Sequence, residues 1–356
     1  MKRAVFVSVL VGALGLVALS GATPGARAAE ASNCAPEGDL HFVCGPNAVE
    51  DMIAIPGTDW ILGSGMTEQD KPGALHLINA KTKAWNVLYP SAAAKSALDK
   101  TDYFRCPGPP DPTKFGAHGI ALKQTGPSRF QALAVNHGGR ESIEVFTIET
   151  GAAAPAITWI GCVVMPSDIF VNSATFLPDG GFAFTKFFDP TNPMGIMSIF
   201  GGTTTGGIYE WHTQLGMTPV SDTDVAGANG IAISPDGKWF YVAAWGSGEV
   251  MRFSRGSGTR QKDVVKLGFF PDNLRWAPDG SLFVAGQNGT RDPEAPMPIF
   301  KGWTVVKLDP ETLKTTTIAT GAPDSAFQGV SNAIEADGDL WLGVYRGDRV
   351  GYLPLK

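Results

Sequence analysis

Turn-forming segments that recur along the whole chain constrain its fold more than any other feature. They stand 43 to 69 residues apart, and nearly every one is followed by alternating or continuous apolar residues such as WILGSG, FAFTKF and WFYVAAW. The six segments are Pro56-Gly57-Thr58-Asp59, Thr125-Gly126-Pro127-Ser128, Pro178-Asp179-Gly180, Pro235-Asp236-Gly237, Pro278-Asp279-Gly280 and Ala336-Asp337-Gly338. Each unit reads as strand, turn, strand and then one or two shorter strands. Self-similarity at this period, without helical periodicity, predicts an all-β, six-bladed β-propeller.

A propeller predicts one domain despite the length of the chain, because a ring of blades cannot be divided without exposing strand edges. We expect this domain to span residues 29–356. Irregular stretches at 106–116, 189–207 and 287–303 are predicted to be loops that wall a cleft on one face. The segment 92–100 is the one plausible helix.

Four residues with oxygen-bearing side chains precede a turn by the same six positions: Glu50, Asn172, Asn229 and Asp272. Each opens an apolar run, so each is expected at the start of a β-strand. Asn and Asp also form turns and strand edges for purely structural reasons. The shared offset favours a common role, since the first strand of each propeller blade lines the central channel. Two carboxylates and two amide oxygens suit Ca²⁺ better than zinc or copper.

Two of the five histidines stand in informative positions. His118, in FGAHGIAL, lies where the inner strand of the second blade should begin, and His137, in LAVNHGG, ends the next strand. Adjacent antiparallel strands would bring the two side chains together at the channel mouth. There one histidine can act as a general base towards water while the other holds and tunes it. A purely structural, hydrogen-bonding role is the alternative. The remaining histidines are interpreted as structural.

The N-terminus is predicted to be a secretory signal peptide over residues 1–28. Lys2 and Arg3 form a basic start, an apolar run follows, and Ala26-Arg27-Ala28 gives a small-x-small cleavage site. An uncleaved membrane anchor is the alternative, but the apolar run is short for a membrane span. We therefore expect an exported protein, periplasmic or extracellular, with no stable membrane span.

The charge argues against a nucleic-acid partner, and the cysteine content agrees with export. Cleavage would remove three basic residues and move the formal net charge from −6 to −9, and no Lys/Arg cluster is present, so nucleic acid is a poor partner. Four cysteines in an exported chain favour disulfides, with three possible connectivities. We expect Cys34–Cys44 and Cys106–Cys162, because the first pair closes a short N-terminal loop.

Several segments together resemble a known family. VEDMIAIP, AHGIAL, AVNHGGRESIEVF, VNSATFLPDG, ANGIAISPDGKWFYVA and PDNLRWAPDGSLFVAG are similar to the serum paraoxonase/arylesterase group. That group belongs to the wider gluconolactonase and strictosidine-synthase-like six-bladed propellers. The similarity runs in order from Glu50 to the C-terminus. Single motifs such as SPDGK occur across many propellers, whereas the pair of His118 and His137 is more specific to the paraoxonase branch.

The resemblance implies a catalytic calcium and a histidine dyad made by His118 and His137. The implied calcium ligands are Glu50, Asn172, Asn229, Asp272 and Asn273.

The resemblance also places Asp51 and the backbone carbonyl of Ile120 on a second, structural calcium site. Ser173 stands there in place of an acidic ligand, and a hydroxyl coordinates more weakly than a carboxylate, which argues against a second ion. Gln287 and Phe188 replace histidines that line the family's pocket. No C-terminal cysteine is available for the family's long-range disulfide, so ring closure is left to strand pairing.

These features predict a secreted, calcium-dependent hydrolase of lactones or aryl esters, with a small-molecule substrate. Ca²⁺ would polarise the carbonyl group, His118 would deprotonate water, and His137 would polarise His118. Asp272 is the other candidate base. No Gly-x-Ser-x-Gly elbow supports a serine hydrolase.

Two rival functions remain open. A gluconolactonase-type sugar-lactone hydrolase would use the same metal without the dyad and would want a polar pocket. The aromatic residues expected near the pocket predict an apolar one instead. They are Phe115, Phe187, Phe188, Trp245, Phe269, Phe270 and Trp303. The other rival is a noncatalytic propeller in which the metal only staples the channel.

Overall fold

The named strands of the described residues form six sheets, which are antiparallel apart from one short parallel pairing. The structure, a computed structural model, describes residues 34–68, 71–201, 203–256, 258–292 and 294–355. The signal peptide predicted for residues 1–28 and the first residues of the predicted domain lie outside this range.

Each sheet forms one blade, and the strands of blades 1 to 5 follow one another in the sequence, whereas blade 6 takes its outermost strand from the N-terminal part of the chain. Blade 1 comprises β2 (Val49–Ala54), β3 (Trp60–Gly65), β4 (Ala74–Asn79) and β5 (Trp85–Tyr89). Blade 2 comprises β7 (Ala117–Gly126), β8 (Arg129–Asn136), β9 (Ser142–Glu149) and β10 (Ala156–Val164), with β6 (Lys95–Ser96) added in parallel to β10. Blade 3 comprises β11 (Phe170–Phe176), β12 (Phe182–Phe188), β13 (Gly207–His212) and β14 (Gly216–Pro219). Blade 4 comprises β15 (Ala228–Ile233), β16 (Trp239–Ala244), β17 (Glu249–Ser254) and β18 (Lys262–Lys266). Blade 5 comprises β19 (Phe270–Trp276), β20 (Leu282–Thr290), β21 (Ile299–Leu308) and β22 (Thr315–Gly321). Blade 6 comprises β23 (Val330–Ala336), β24 (Asp339–Val344), β25 (Arg349–Pro354) and β1 (His41–Cys44).

The first strands of the six blades surround the central channel. Each contacts the first strand of the next blade, and β23 contacts β2, which completes the ring. The predicted six-bladed β-propeller is confirmed.

The N-terminal strand closes the ring. β1 pairs antiparallel with β25, with Phe42 opposite Gly351, so the two ends of the described chain share blade 6. The disulfide Cys34–Cys44 fastens the segment before β1 to its last residue, and Cys106–Cys162 joins the loop before β7 to β10. Both disulfides have the predicted connectivity, and closure is by strand pairing, as the sequence indicated.

Stacking of the blades explains why the strands read as continuous apolar runs. In β16, Phe240 packs in one buried cluster with Phe253. The next residue, Tyr241, packs on the opposite face with Leu274 and Val284 of blade 5. Both faces of a middle strand are therefore buried, as in sheets that are covered on two sides.

The predicted helix at 92–100 is wrong. This segment contains turns and the short strand β6, because it is held along β10 by backbone hydrogen bonds from Ala97 to Trp159 and from Asp99 to Ile160. The helical segment in the described part of the chain is a 3₁₀ helix, Gly195–Phe200. No helix of the described residues is long and apolar enough to cross a membrane.

Candidate active site

The side chains that the sequence singled out meet at one end of the channel. Glu50 lies in β2, His118 in β7, Asn172 in β11, Asn229 in β15 and Asp272 in β19. All five are buried, and all five line one cavity of about 510 Å³. The six-position offset therefore located one residue at the start of each of four inner strands.

A local irregularity in every inner strand accompanies this arrangement. The pairing register shifts near the beginning of all six, as in β15, where it moves from Ala228 to Ile231 and leaves Asn229 between them. Such bulges re-aim side chains and are common beside functional sites. Gly230, next to Asn229, allows the strands to approach, since a Cβ there would lie 2.6 Å from the carbonyl oxygen of Asp272.

Four buried oxygen atoms of the site accept no hydrogen bond from the described residues: Glu50 Oε2 and the Oδ1 atoms of Asn172, Asn229 and Asn273. The amide nitrogen of Asn273 donates to Glu50 Oε1 at 2.5 Å, and the Asn229 side chain hydrogen-bonds to Asp272. Buried acceptors without partners are rare and costly in native proteins. Carboxylate and amide oxygens are the ligands that Ca²⁺ prefers, so these residues fit that ion.

The two carboxylates of the site are electrostatically unfavourable when nothing positive lies between them. Burial raises the pKa of Asp272 to about 7. Burial, with Asp272 and Asp51 nearby, raises the pKa of Glu50 well above its ordinary value. A bound cation would reverse both shifts because it favours the ionised form. Among the described residues no three His, Cys, Asp or Glu side chains cluster as metal ligands, and this site offers two carboxylates with amides.

The two histidines form a hydrogen-bonded chain that continues to a carboxylate. His118 Nδ1 lies 2.7 Å from His137 Nε2, and His137 Nδ1 lies 2.8 Å from Glu141 Oε2. The other oxygen of Glu141 accepts a hydrogen bond from the backbone N–H of Val171 at 2.8 Å. His137 also stacks on Phe170, with ring centroids 4.2 Å apart.

Protonation of this chain follows from the contacts. With Glu141 ionised, His137 carries its proton on Nδ1 and accepts at Nε2, which places the proton of His118 on Nδ1. His118 Nε2 then presents a lone pair and lies 3.7 Å from Glu50 Oε1. Burial, helped by the nearby His137, lowers the pKa of His118 well below its ordinary value, so His118 is neutral at pH 7.

Glu141 was missed by the sequence reasoning. The sequence feature that could have indicated it is a carboxylate four residues after His137, in the short His-Gly-Gly-Arg-Glu connection between β8 and β9.

The two residues that replace family histidines have definite contacts. Gln287 is buried; its amide nitrogen donates to Asp272 Oδ2 at 2.8 Å, and its oxygen accepts from the indole N–H of Trp245 at 2.9 Å. Phe188 stacks on Phe170 behind His137. Gln287 therefore orients a carboxylate of the site, whereas Phe188 supports the histidine pair.

The remaining wall of the cavity is largely apolar. Of the aromatic residues predicted to line it, Phe187 and Trp245 do so. Phe188 and Phe270 belong to the aromatic cluster behind them. Phe115, Phe269 and Trp303 pack in other hydrophobic clusters, between blades, so that part of the prediction is wrong. The lining residues that the sequence did not indicate are Met66, Ile196, Met297, Pro298, Phe300, Tyr345 and Arg346, and the last two are the polar members of this set. Ile196, Met297 and Pro298 come from two of the loops expected to wall a cleft.

Asp51 and Ile120, the pair implied for a second ion, also lie together on the channel axis. The group between them is the guanidinium of Arg275, which pairs with the Asp51 carboxylate and donates to the Ile120 carbonyl oxygen at 2.8 Å.

Fold and site together define a six-bladed propeller with buried, oxygen-bearing side chains and a histidine chain at one mouth of its channel. The SMP-30/Gluconolactonase/LRE-like region matches residues 141–325, just over half of the sequence, and the chain therefore belongs to that family. The matched range includes Asn172, Asn229 and Asp272 but begins after His118. No curated protein matches the sequence.

Solved structures share the fold at low sequence identity. A luciferin-regenerating enzyme superposes with a TM-score of 0.54 at 15% identity, over 89% of this chain and 95% of its own. Regucalcin from Agrobacterium tumefaciens, described as a calcium-binding protein, gives 0.51 at 13%, over 88% and 94%. A streptogramin B lyase gives 0.51 at 11%, over 89% and 97%. At these identities the likeness establishes the propeller fold alone.

Proposed function

We propose that this protein is a calcium-dependent hydrolase of lactones or aryl esters, in the manner of the paraoxonase branch. One observation carries the proposal. Glu50, Asn172 and Asn229 each carry a buried oxygen that accepts no hydrogen bond from the described residues, and they line one largely apolar cavity together with His118. Membership of a gluconolactonase-like family supports lactone hydrolysis at the general level.

The residues that would hold the calcium are Glu50, Asn172, Asn229, Asp272 and Asn273. Ca²⁺ bound there would act as a Lewis acid on the substrate carbonyl and stabilise the negative charge that develops on its oxygen. The similarity to regucalcin, a calcium-binding protein, is consistent with this choice of metal.

His118 is the proposed general base. Its Nε2 would take a proton from a water molecule as the water oxygen attacks the carbonyl carbon. His137 would stabilise the resulting imidazolium by accepting from its Nδ1–H, and Glu141 would hold His137 in the required tautomer. Cleavage of the ring C–O bond then releases an alkoxide, to which His118 can return the proton.

Asp272 is the second candidate base, but its surroundings suit a ligand better. One of its oxygens accepts from Gln287, and Asn229 also bonds the carboxylate. His118 Nε2, in contrast, has Glu50 Oε1 at 3.7 Å as its nearest ionic neighbour.

A sugar-lactone hydrolase of the gluconolactonase type is the second candidate function, and the family supports it equally. Most of the cavity wall favours alkyl or aryl substrates, because Phe187, Trp245, Phe300 and Met297 offer little hydrogen bonding to a polyol. Tyr345 and Arg346 are the polar side chains of this wall. Export is also part of the proposal, since two disulfides suit an oxidising compartment.

A hydrolysis screen tests both candidates. Alkyl-substituted γ- and δ-lactones, gluconolactone and phenyl acetate would be compared with native protein, EDTA-treated protein and protein resupplied with Ca²⁺. We expect calcium-dependent turnover, highest for the alkyl lactones. Asn229→Ala should behave like the EDTA-treated protein. Asn86→Ala, at an exposed position of β5, is the matched control and should behave like the native protein.

Preference for gluconolactone would assign the chain to the rival enzyme class. Stoichiometric calcium with no turnover of any substrate would favour a metal that only staples the channel.

A further inference from the structure

Arg275 places a fixed positive charge on the axis of the propeller. It lies on the inner strand β19, two residues after Asn273, and its side chain is 12% exposed. The guanidinium pairs with Asp51 and donates from Nη2 to the Ile120 carbonyl at 2.8 Å, from Nε to the Met52 carbonyl at 3.2 Å and from Nη1 to the Leu274 carbonyl at 3.3 Å. One carboxylate and three backbone carbonyls thus surround a single cation.

Asp51 is completely partnered in this arrangement. Its Oδ1 accepts from the Met52 N–H at 2.9 Å and from the side chain of Asn332 at 2.7 Å. Its Oδ2 accepts from the Ile120 N–H at 2.9 Å as well as from Arg275. The carboxylate is fully buried, so a charge without these partners would be strongly unfavourable.

The same contacts connect distant parts of the ring. Asp51 belongs to blade 1, Ile120 to blade 2, Arg275 to blade 5 and Asn332 to blade 6. Four of the six blades therefore meet at the Arg275 guanidinium and the Asp51 carboxylate.

We propose that Arg275 is a built-in replacement for a structural cation, so that this propeller holds its channel together without a second calcium. Charge balance favours the guanidinium, because one carboxylate faces one monovalent cation here. A divalent ion would need a further acidic ligand. The position at which the family resemblance places that ligand is Ser173, whose buried hydroxyl makes no hydrogen bond with the described residues. Ser173 adjoins β7, since a Cβ on Gly119 would lie 2.6 Å from its Cα.

Counting bound calcium tests the proposal. The wild-type protein, Arg275→Lys and the double variant Ser173→Asp/Arg275→Ala would be equilibrated with CaCl₂, desalted and analysed for calcium per chain. The double variant restores the second acid and removes the guanidinium, so it should bind one more Ca²⁺ than the wild type. Arg275→Lys keeps the cation and should not. This difference is independent of hydrolysis and of the calcium in the proposed active site.

Thermal unfolding gives a second readout. Arg275→Met leaves Asp51 without its cation and should lower the Tm by roughly 5–10 °C in EDTA. Two calcium ions per wild-type chain, or a wild-type Tm for Arg275→Met, would each overturn the proposal. The wild-type count decides the question even if the double variant does not fold.

Discussion

Glu50 and Asp51 are consecutive, fully buried acids of one strand, and their surroundings are opposite. Asp51 accepts hydrogen bonds from two backbone N–H groups and two side chains, including a guanidinium. Glu50 has one amide donor on Oε1, while its Oε2 accepts none from the described residues and faces a cavity lined by further oxygen ligands. The register of β2 shifts between Val49 and Asp51, which leaves Glu50 as the unpaired residue of the bulge and sends the two acids to different neighbours.

The cluster around Asp51 balances its own charge, whereas the cluster around Glu50 does not. The Asp51–Arg275 cluster contains both signs and needs nothing from solution. The Glu50–Asp272 cluster contains two acids and unpartnered amide oxygens, an arrangement suited to an exchangeable cation. Mutations in the first cluster should therefore affect stability, and mutations in the second should affect metal binding and turnover.

The largest effect is expected for Asp272→Asn. This variant removes one of the two negative charges of the proposed calcium site, so bound calcium and lactone turnover should fall together, turnover by about a thousandfold or more. Elemental analysis and kcat/KM measure the two effects. Asp51→Asn is the matched variant of the other cluster and should lower the Tm while retaining calcium. If both variants lose calcium equally, the distinction between the clusters is lost.

Removing the proposed base should be the next largest effect. His118→Gln should lower lactone turnover by about a hundredfold or more, since a general base contributes on this scale. Calcium content and Tm should stay near the wild-type values. His212→Gln, which removes a histidine on an outer strand, serves as the control. Near-wild-type turnover in His118→Gln would transfer the role of base to Asp272.

Glu141→Gln should have a smaller effect with its own signature. Loss of the carboxylate weakens the hold on His137, and we expect turnover to fall by about tenfold. The variant also removes a negative charge from the histidine chain. The pKa of His118 should therefore fall further, and the acidic limb of the pH profile should move to lower pH. The exposed Glu149→Gln is the control, and an unchanged profile in Glu141→Gln would assign Glu141 a purely structural role.

Calcium affinity should depend on pH in a defined direction. Burial raises the pKa of Asp272 to about 7 in the metal-free protein, so below pH 7 calcium must displace a proton. Affinity should weaken by about tenfold per pH unit below 7 if one proton is displaced. The metal-free protein should itself lose stability as the pH rises towards 7, because its folded state holds that proton more tightly than the unfolded state. Calcium titrations between pH 5 and pH 8 would measure this, and an affinity independent of pH would contradict it.

The smallest expected effect concerns substrate choice. Each methylene buried against the cavity wall contributes about 0.8 kcal/mol, or roughly fourfold in kcat/KM. Phe300→Ala should reduce this increment across a series of alkyl lactones, while turnover of an unsubstituted lactone changes little. A series with no dependence on chain length would show that the alkyl group does not enter this cavity.

The sequence by itself determined the architecture and the positions that open the inner strands. Regular Pro-Asp-Gly turns specify strand reversal locally, and Gly237 and Gly280 adopt φ values of 73° and 83° in these turns, where glycine is favoured. Apolar runs between the turns specify strands that are buried on both faces. Repetition of one unit then specifies a ring of blades. Because Glu50, Asn172 and Asn229 hold the same position in their units, their side chains lie at the same end of the channel.

Only the tertiary structure decided what these side chains touch. Arg275 is 224 residues from Asp51 and 155 from Ile120 in the sequence, and no local sequence pattern predicts the contacts among the three. The contact depends on ring closure, which brings blades 1, 2 and 5 to a common axis, and on the bulges that turn side chains towards it. Similarly, the sequence predicted that seven aromatic residues line one apolar pocket, but Phe115 and Trp303 pack in hydrophobic clusters between stacked blades instead. Local turn chemistry determines where the strands begin and end. The partners of a buried charge depend instead on how the closed ring positions the remaining blades around it.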